Sequence, residues 1–571
     1  MTRPLLALTV ALALTATACT SGSEDPPPDR GSAGSSRVEG SATAGCPDGV
    51  VDAVDAWGDV GFTGVVTILR GSESCVTAVG VRDRASRDPM TDKTVFAIGS
   101  VSKAFTAAAV LQLVAENRLD LHATAGSLVP GLRGPAASAT VAQLLSHTSG
   151  LLGGAGDDHQ PLSRRAAVDA LSELPRVFPA GTDFGYTNGG YTLLALIIDS
   201  VTGDYRAYLA DRLLDPPGTA PDAGFWDGDP AARGPRAVGY TEAGRSMQSG
   251  DFPGPHWAMS GNGDLAMSMP TLAALTAALF RGEILPAGAT AALRKPRRDN
   301  GDGTSETYGW VRLGPDVLGA VGLAAAGGGG DTGHNAVVAY VPASDLVVAI
   351  GSSTPEVDAE DVMQAIIVPL VAGDPVPLPT GPDPTPPDAD TVDRAVGTYL
   401  LAGGGRLVLT GGSGSATISA VGAAAVDALF APPTGIAQRD VDRHEAGVLA
   451  LLAGDDPAGR AERRVAARAV GGLRQIEPRG TVVDHNELQT YVRLIGDDAT
   501  LDGWYSLDEH GGVSAAQIPA DPPSVELDEQ RGDALISADP TARRPDIRVT
   551  AAHGVLTVDN GATVVTARRQ G

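Results

Sequence analysis

Between Asp374 and Pro387 the chain reads Asp-Pro-Val-Pro-Leu-Pro-Thr-Gly-Pro-Asp-Pro-Thr-Pro-Pro, seven prolines in fourteen residues. Proline has a fixed φ and no amide hydrogen, so neither a helix interior nor a central strand can cross such a run. An extended polyproline-II linker is predicted at 372–390, and each side of it must bury a core of its own. Of the 571 residues 43% are hydrophobic, enough for both. The segment 46–371 is predicted to be an α/β domain that opens on a β-hairpin at 62–70 and 75–82. A helix at 102–117 carries Phe105, Ala108, Ala109, Leu111, Leu113 and Val114 at helical spacing. Further helices are expected at 141–145, 166–174, 191–202 and 270–280. Strands are expected at 336–341 and 345–350, around a Pro-Ala-Ser turn. The segment 391–571 holds short alternating runs such as Arg406-Leu-Val-Leu-Thr and Gly554-Val-Leu-Thr-Val-Asp. It is predicted to be a mainly antiparallel β domain, a barrel or a sandwich, with no catalytic constellation.

The N-terminus begins with one charge at Arg3, followed by an apolar run at 4–18 and then Cys19. The run is short for a membrane span and has the proportions of a signal peptide, 1–18. Small residues directly before the cysteine (Ala16-Thr-Ala-Cys19) resemble a bacterial lipobox. That resemblance implies a lipidated Cys19 as first mature residue and an extracytoplasmic protein anchored to the cell membrane. The polar, Ser/Gly/Pro-rich stretch 19–45 is predicted to be a flexible tether. An outside compartment permits disulfides, so Cys46 and Cys75 are expected to pair.

Aspartate and glutamate outnumber lysine and arginine 68 to 42, a net charge of −26. A chain with that balance lacks the basic face that nucleic acid needs. Three cysteines exclude a disulfide framework and a Cys-rich zinc module. No metal-ligand spacing, Walker loop or dinucleotide fingerprint occurs, so no metal and no cofactor are expected. Lysine occurs only at 93, 103 and 295, which makes each one informative.

One of the three stands in Phe96-Ala-Ile-Gly-Ser100-Val-Ser-Lys103, where an apolar segment turns into the helix predicted at 102–117. A serine in a first helical turn meets unpaired N–H groups and the positive end of the macrodipole. A lysine three residues later lies on the same face, one turn on. Its amine reaches the hydroxyl and takes its proton once its pKa is lowered. A second element, Phe184-Gly-Tyr186-Thr-Asn188, puts a phenol and an amide two apart before an apolar helix. If the phenol shares a site with a lysine, it serves as base or proton relay. The amide can hydrogen-bond a substrate amide and orient the lysine.

These motifs resemble the serine hydrolases of the class C β-lactamase and penicillin-binding-protein-like family. The resemblance spans about 60–355 and includes Val141-Ala-Gln-Leu-Leu-Ser-His-Thr-Ser-Gly-Leu, Gly263-Asp-Leu-Ala-Met-Ser-Met-Pro and Tyr308-Gly-Trp. It implies a β-lactamase/transpeptidase-like fold, an antiparallel sheet flanked by helices. By carry-over Ser100 is the acylated nucleophile, Lys103 assists its deprotonation, Tyr186 is general base or relay, and Asn188 positions substrate and Lys103. It makes His147 a structural residue of a loop beside the site, and His256 and His334 weak candidates. The family's third element is a cation or imidazole, a small residue and glycine on an edge strand. Here Gly327-Gly-Gly-Gly-Asp-Thr-Gly333 stands in its place. The cationic position falls on Gly328, with Gly327 as the other register. Gly330 and Asp331 would approach the substrate, the Asp331 N–H completing an oxyanion hole with that of Ser100. The expected function is a membrane-tethered serine hydrolase of small esters, amides or cell-wall peptides. The alternative is a non-catalytic protein that binds wall peptides or a protein partner.

Overall fold

The computed structural model describes residues 45–570, apart from 216–221, 242–243, 247, 249, 251, 329–332, 356, 380–386, 412–415, 431–437, 455–456, 485–486, 508–510, 528 and 538–546. Cys19, the expected signal peptide and the expected tether up to residue 44 lie outside the described residues, as do Gly330 and Asp331. No described helix is long and apolar enough to cross a membrane. The described residues form two compact units, the first ending at Pro379.

The first unit is an antiparallel sheet flanked by helices. It opens with helix α1 (Val50–Asp59) rather than with the expected hairpin. Val50, Ala53, Val54 and Trp57 form a buried stripe at helical spacing, which the intervening aspartates and Gly58 obscure in the sequence. The hairpin follows as β1 (Gly64–Arg70) and β2 (Glu73–Val79). The segment that carries Ser100 leads into α2 (Ser102–Ala115), and α3 (Asn188–Thr202) and α4 (Met269–Arg281) follow. Three long strands come next, β3 (Gly322–Gly328), β4 (Asn335–Val341) and β5 (Leu346–Ser352), and then α5 (Ala359–Ala372). The sheet is antiparallel throughout and runs from three short strands through β3, β4, β5 and β1 to β2. Both of its faces are buried. Val65, Ala336, Val338, Val347 and Ala349 face the cluster that holds α2 and α4. Val66, Val337, Ala339, Val348 and Ile350 alternate with them and face α1 and α5. Strands covered on both faces therefore read as continuous apolar runs, which is why β4 and β5 stand out in the sequence.

The first unit runs past the expected boundary at 371. Val376 is buried against α1 and donates its N–H to the Asp48 carbonyl, so the start of the proline-rich run belongs to this core. Cys46 and Cys75 are joined as a disulfide, tying the chain just before α1 to β2.

The second unit is mostly β. A nine-stranded sheet pairs an early strand, Gly397–Leu401, with the last, Val564–Arg569, and a four-stranded meander covers residues Leu473–Gln517. Helices at Ala423–Leu429, Gln438–Ala453 and Pro457–Ala469 were not expected. The last is amphipathic and rich in arginine, so its apolar stripe is thin in the sequence.

Candidate active site

Three backbone elements meet at Ser100. The strand Val95–Ala97 pairs with Leu265–Ser268, and a single 3-10 turn, Gly99–Val101, carries the serine into α2. Gly99 has φ +48°, and a Cβ there would meet the Gly328 nitrogen at 2.4 Å, so only glycine fits this turn. Every residue of α2 from Ser102 to Leu113 is buried, Lys103 among them at 3% exposure. Behind Lys103, a Cβ on Gly309 would lie 2.8 Å from the Lys103 carbonyl oxygen, so the Tyr308-Gly-Trp310 turn packs directly on the helix.

Lys103 Nζ lies 2.8 Å from Ser100 Oγ, and the Tyr186 hydroxyl donates to the same oxygen at 2.9 Å. Lys103 Nζ also donates to the main-chain carbonyl of Asn262 at 3.0 Å and lies 4.8 Å from the centre of the Tyr186 ring. Burial pushes the Lys103 amine well below its ordinary range, and the carboxylate of Asp158 offsets this in part. Burial pushes the Tyr186 phenol upward; its hydrogen bond to Ser100 opposes this and the charge of Glu306 adds to it. Burial thus shifts the amine toward its neutral form and holds the phenol in its own, and both lie within reach of one hydroxyl.

Tyr186 is held by the loop predicted to pack beside the site. Gly185 donates its N–H to the His147 carbonyl, Thr187 donates its N–H to His147 Nδ1, and the Thr187 hydroxyl donates to the Gly153 carbonyl. The His147 ring stacks on Tyr186 with centroids 4.6 Å apart. Burial holds its imidazole down at about 3, with Lys103 adding to the effect. A neutral ring that accepts an N–H and supports the phenol is a structural part. His256 ties two loops, accepting from the Leu162 N–H and donating to the Asp158 carbonyl. His334 is buried edge-on against Trp226 and Phe96.

Asn188 opens α3 beside these residues, but no hydrogen bond among the described residues joins it to Lys103. The expectation that it orients the lysine is corrected: the carbonyl of Asn262 does so. Asn188 Oδ1 is buried and has no hydrogen-bond partner among the described residues. Asn262 was missed because it contributes a main-chain oxygen, and a side-chain motif carries no trace of that.

The third element needs the larger correction. β3 lies inside the sheet, between Val311–Leu313 and β4, and not at its edge. A Cβ on Gly327 would meet the Ser100 nitrogen at 2.2 Å and the Ile98 oxygen at 2.6 Å. Gly328 has φ +97°, and a Cβ there would meet the His334 carbonyl oxygen at 1.8 Å. Neither register accepts a side chain on this backbone, so the glycines let the strand close onto the nucleophile's turn. The oxyanion donor expected at Asp331 lies outside the described residues.

The family pattern described as Beta-lactamase matches residues 51–372. "Penicillin-binding protein 4" of Amycolatopsis lactamdurans is 36% identical over 152 residues, 25% of this chain and 39% of that protein. "Esterase EstB" of Burkholderia gladioli is 31% identical over 173 residues, 27% of this chain and 44% of that one. The matched stretch thus spans about two-fifths of the length of these curated relatives. Among solved structures, the octameric penicillin-binding protein homologue from Pyrococcus abyssi superposes with a TM-score of 0.50 at 19% identity. It covers 79% of this chain and 98% of its own.

Proposed function

The chain belongs to the beta-lactamase family, and from that premise we propose that its first unit is a serine hydrolase working through an acyl-enzyme on Ser100, held at the outer face of the membrane by a lipidated Cys19. The carrying observation is the position of Ser100 Oγ, 2.8 Å from Lys103 Nζ and 2.9 Å from Tyr186 Oη. With the amine neutral, Ser100 Oγ–H gives its proton to Lys103 Nζ as Oγ attacks the substrate carbonyl carbon. The Tyr186 O–H stabilises the developing charge on Oγ. Collapse of the tetrahedral intermediate breaks the bond to the leaving group, which takes the proton from the Lys103 ammonium, directly or through the phenol. Water then repeats the sequence on the ester, with Lys103 again as base, and frees Ser100. Asn188 Oδ1 accepts from a substrate amide.

The substrates are esters or amides, D-amino-acid wall peptides among them, without a carboxylate beside the scissile bond. Gly327 and Gly328 offer no cation, and the charges of Asp158 and Glu306 reach Lys103 and Tyr186. The absent charge-assisted hydrogen bond corresponds to ~1.5–3 kcal/mol, about 10–100-fold in kcat/KM. A matched ester pair, with and without that carboxylate, should therefore show no such gain for the charged member and a preference for the uncharged one. A preference for the carboxylate member contradicts this assignment. The same glycines favour a second reading, a wall-peptide binder without turnover, which predicts binding with no product from either ester.

A further inference from the structure

The turn that supplies the lysine's carbonyl partner is organised around one buried carboxylate. Asp264 is 4% exposed, and its Oδ1 accepts from the Gly261 N–H and from the Tyr205 hydroxyl, each at 3.2 Å. The main chain it closes, Gly261-Asn-Gly-Asp264, is bound on every side to residues that flank the nucleophile. The Thr106 hydroxyl donates to the Gly261 carbonyl at 2.9 Å, and Lys103 Nζ donates to that of Asn262. The Asn262 amide donates to Thr192 Oγ1 and to the Ala258 carbonyl, which fixes the turn to α3. One residue on, the Leu265 N–H donates to Ser102 Oγ and the Ile98 N–H donates to the Leu265 carbonyl. Gly261 has φ +81°, and a Cβ there would meet the Tyr191 carbonyl oxygen at 2.6 Å.

A carboxylate buried in this way is costly. Among the described residues, Asp264 Oδ2 is buried without a hydrogen-bond partner, and so are Nε and Nη2 of Arg206, whose Nη1 donates to the Asp227 and Asp229 carbonyls. Burial raises the Asp264 carboxyl to about 6, with the Arg206 charge opposing it. A neutral or apolar residue would avoid that penalty. What only an acceptor at 264 provides is closure of the turn onto the Gly261 N–H and the Tyr205 hydroxyl.

We propose that Asp264 is a positioning residue for the hydrolase, holding the Gly261–Asp264 turn so that the Asn262 carbonyl keeps Lys103 Nζ buried and over Ser100 Oγ. The proposal rests on the hydrolase reading for its kinetic consequence and on the geometry alone for its effect on Lys103. Losing the acceptor opens the turn, lets the amine swing out of its desolvated seat and returns it toward its ordinary titration range.

The full-length protein and its Asp264→Ala, Asp264→Asn and Tyr205→Phe variants provide the test. With three lysines in the chain, ¹³Cε-lysine NMR can follow Lys103 by itself, assigned through Lys103→Arg. In Asp264→Ala the Lys103 midpoint should rise by about one pH unit or more, while kcat on a neutral ester falls ~10–100-fold with KM nearly unchanged. Asp264→Asn keeps an amide oxygen in the same place and should restore both. Tyr205→Phe, with one donor removed, should move both part of the way. A folded Asp264→Ala whose Lys103 midpoint does not rise overturns the proposal. So does an Asp264→Asn as damaged as Asp264→Ala. If Asp264→Ala does not fold, Tyr205→Phe decides, and an unchanged midpoint and kcat there count against it. A wild type without turnover sinks the hydrolase reading, yet the Lys103 midpoints still decide the role of Asp264.

Discussion

In the proposed mechanism Lys103 serves Ser100 as a free amine, and its burial shifts it toward that form. The meeting of Ser100, Lys103 and Tyr186 was legible in the sequence because it is made by side chains whose spacing follows from one helical turn and one loop. The Asn262 carbonyl was not, since any residue at 262 would offer the same oxygen. His147 could have been taken for a base from its setting in Ser-His-Thr-Ser-Gly. The structure instead holds it neutral, down at about 3, under the Tyr186 ring. The sign of the pH dependence follows. The lysine's folded pKa is lowered, so activity should rise with pH as Lys103 loses its proton and level off well short of the ordinary lysine range. Tyr186 is shifted upward, so its phenol should add no alkaline fall below about pH 10. Lys103→Ala and Tyr186→Phe should each cost ~10²–10⁴ in kcat. A wild-type kcat/KM that keeps climbing to pH 10 would mean that the lysine is not the poised base.

At the level of elements, β3 shows where a motif reading reaches its limit. The sequence shows a run of glycines where the family resemblance implies a cation or an imidazole, and the natural inference is a lost side chain. The backbone explains the glycines differently: β3 sits inside the sheet and presses on the turn that holds Ser100. Strand position and closeness of approach are tertiary facts, and no local pattern records them. The strongly apolar β4 and β5 and the uniformly buried α2 were legible because burial on all sides leaves a long apolar run. Helix α1 was not, its four-residue stripe being short and broken by aspartates. Replacing Gly327 with alanine would force a Cβ to 2.2 Å from the Ser100 nitrogen, so the turn must shift. A displacement of that order should cost ~10²-fold or more in kcat, read beside the melting temperature to separate it from unfolding. A Gly327→Ala protein with wild-type kcat would show that β3 does not set the position of the nucleophile.

On the scale of the whole chain, the two compact units meet in sequence within the proline-rich run, and its first residues belong to the first unit, because Val376 finds a place beside α1. The second unit is mostly β and carries none of the residues assigned to the chemistry. The proposed anchor at Cys19 predicts that the protein fractionates with membranes and that Cys19→Ser releases it to the soluble fraction; unchanged fractionation would remove the anchor from the account. The central claim, covalent chemistry at Ser100, is most directly read from the intact mass of the full chain after exposure to a serine-directed phosphonate. The account predicts one adduct on the wild type, mapped by peptide mass to Ser100, and none on Ser100→Ala. Equal labelling of both proteins, or an adduct mapped to another residue, would contradict it.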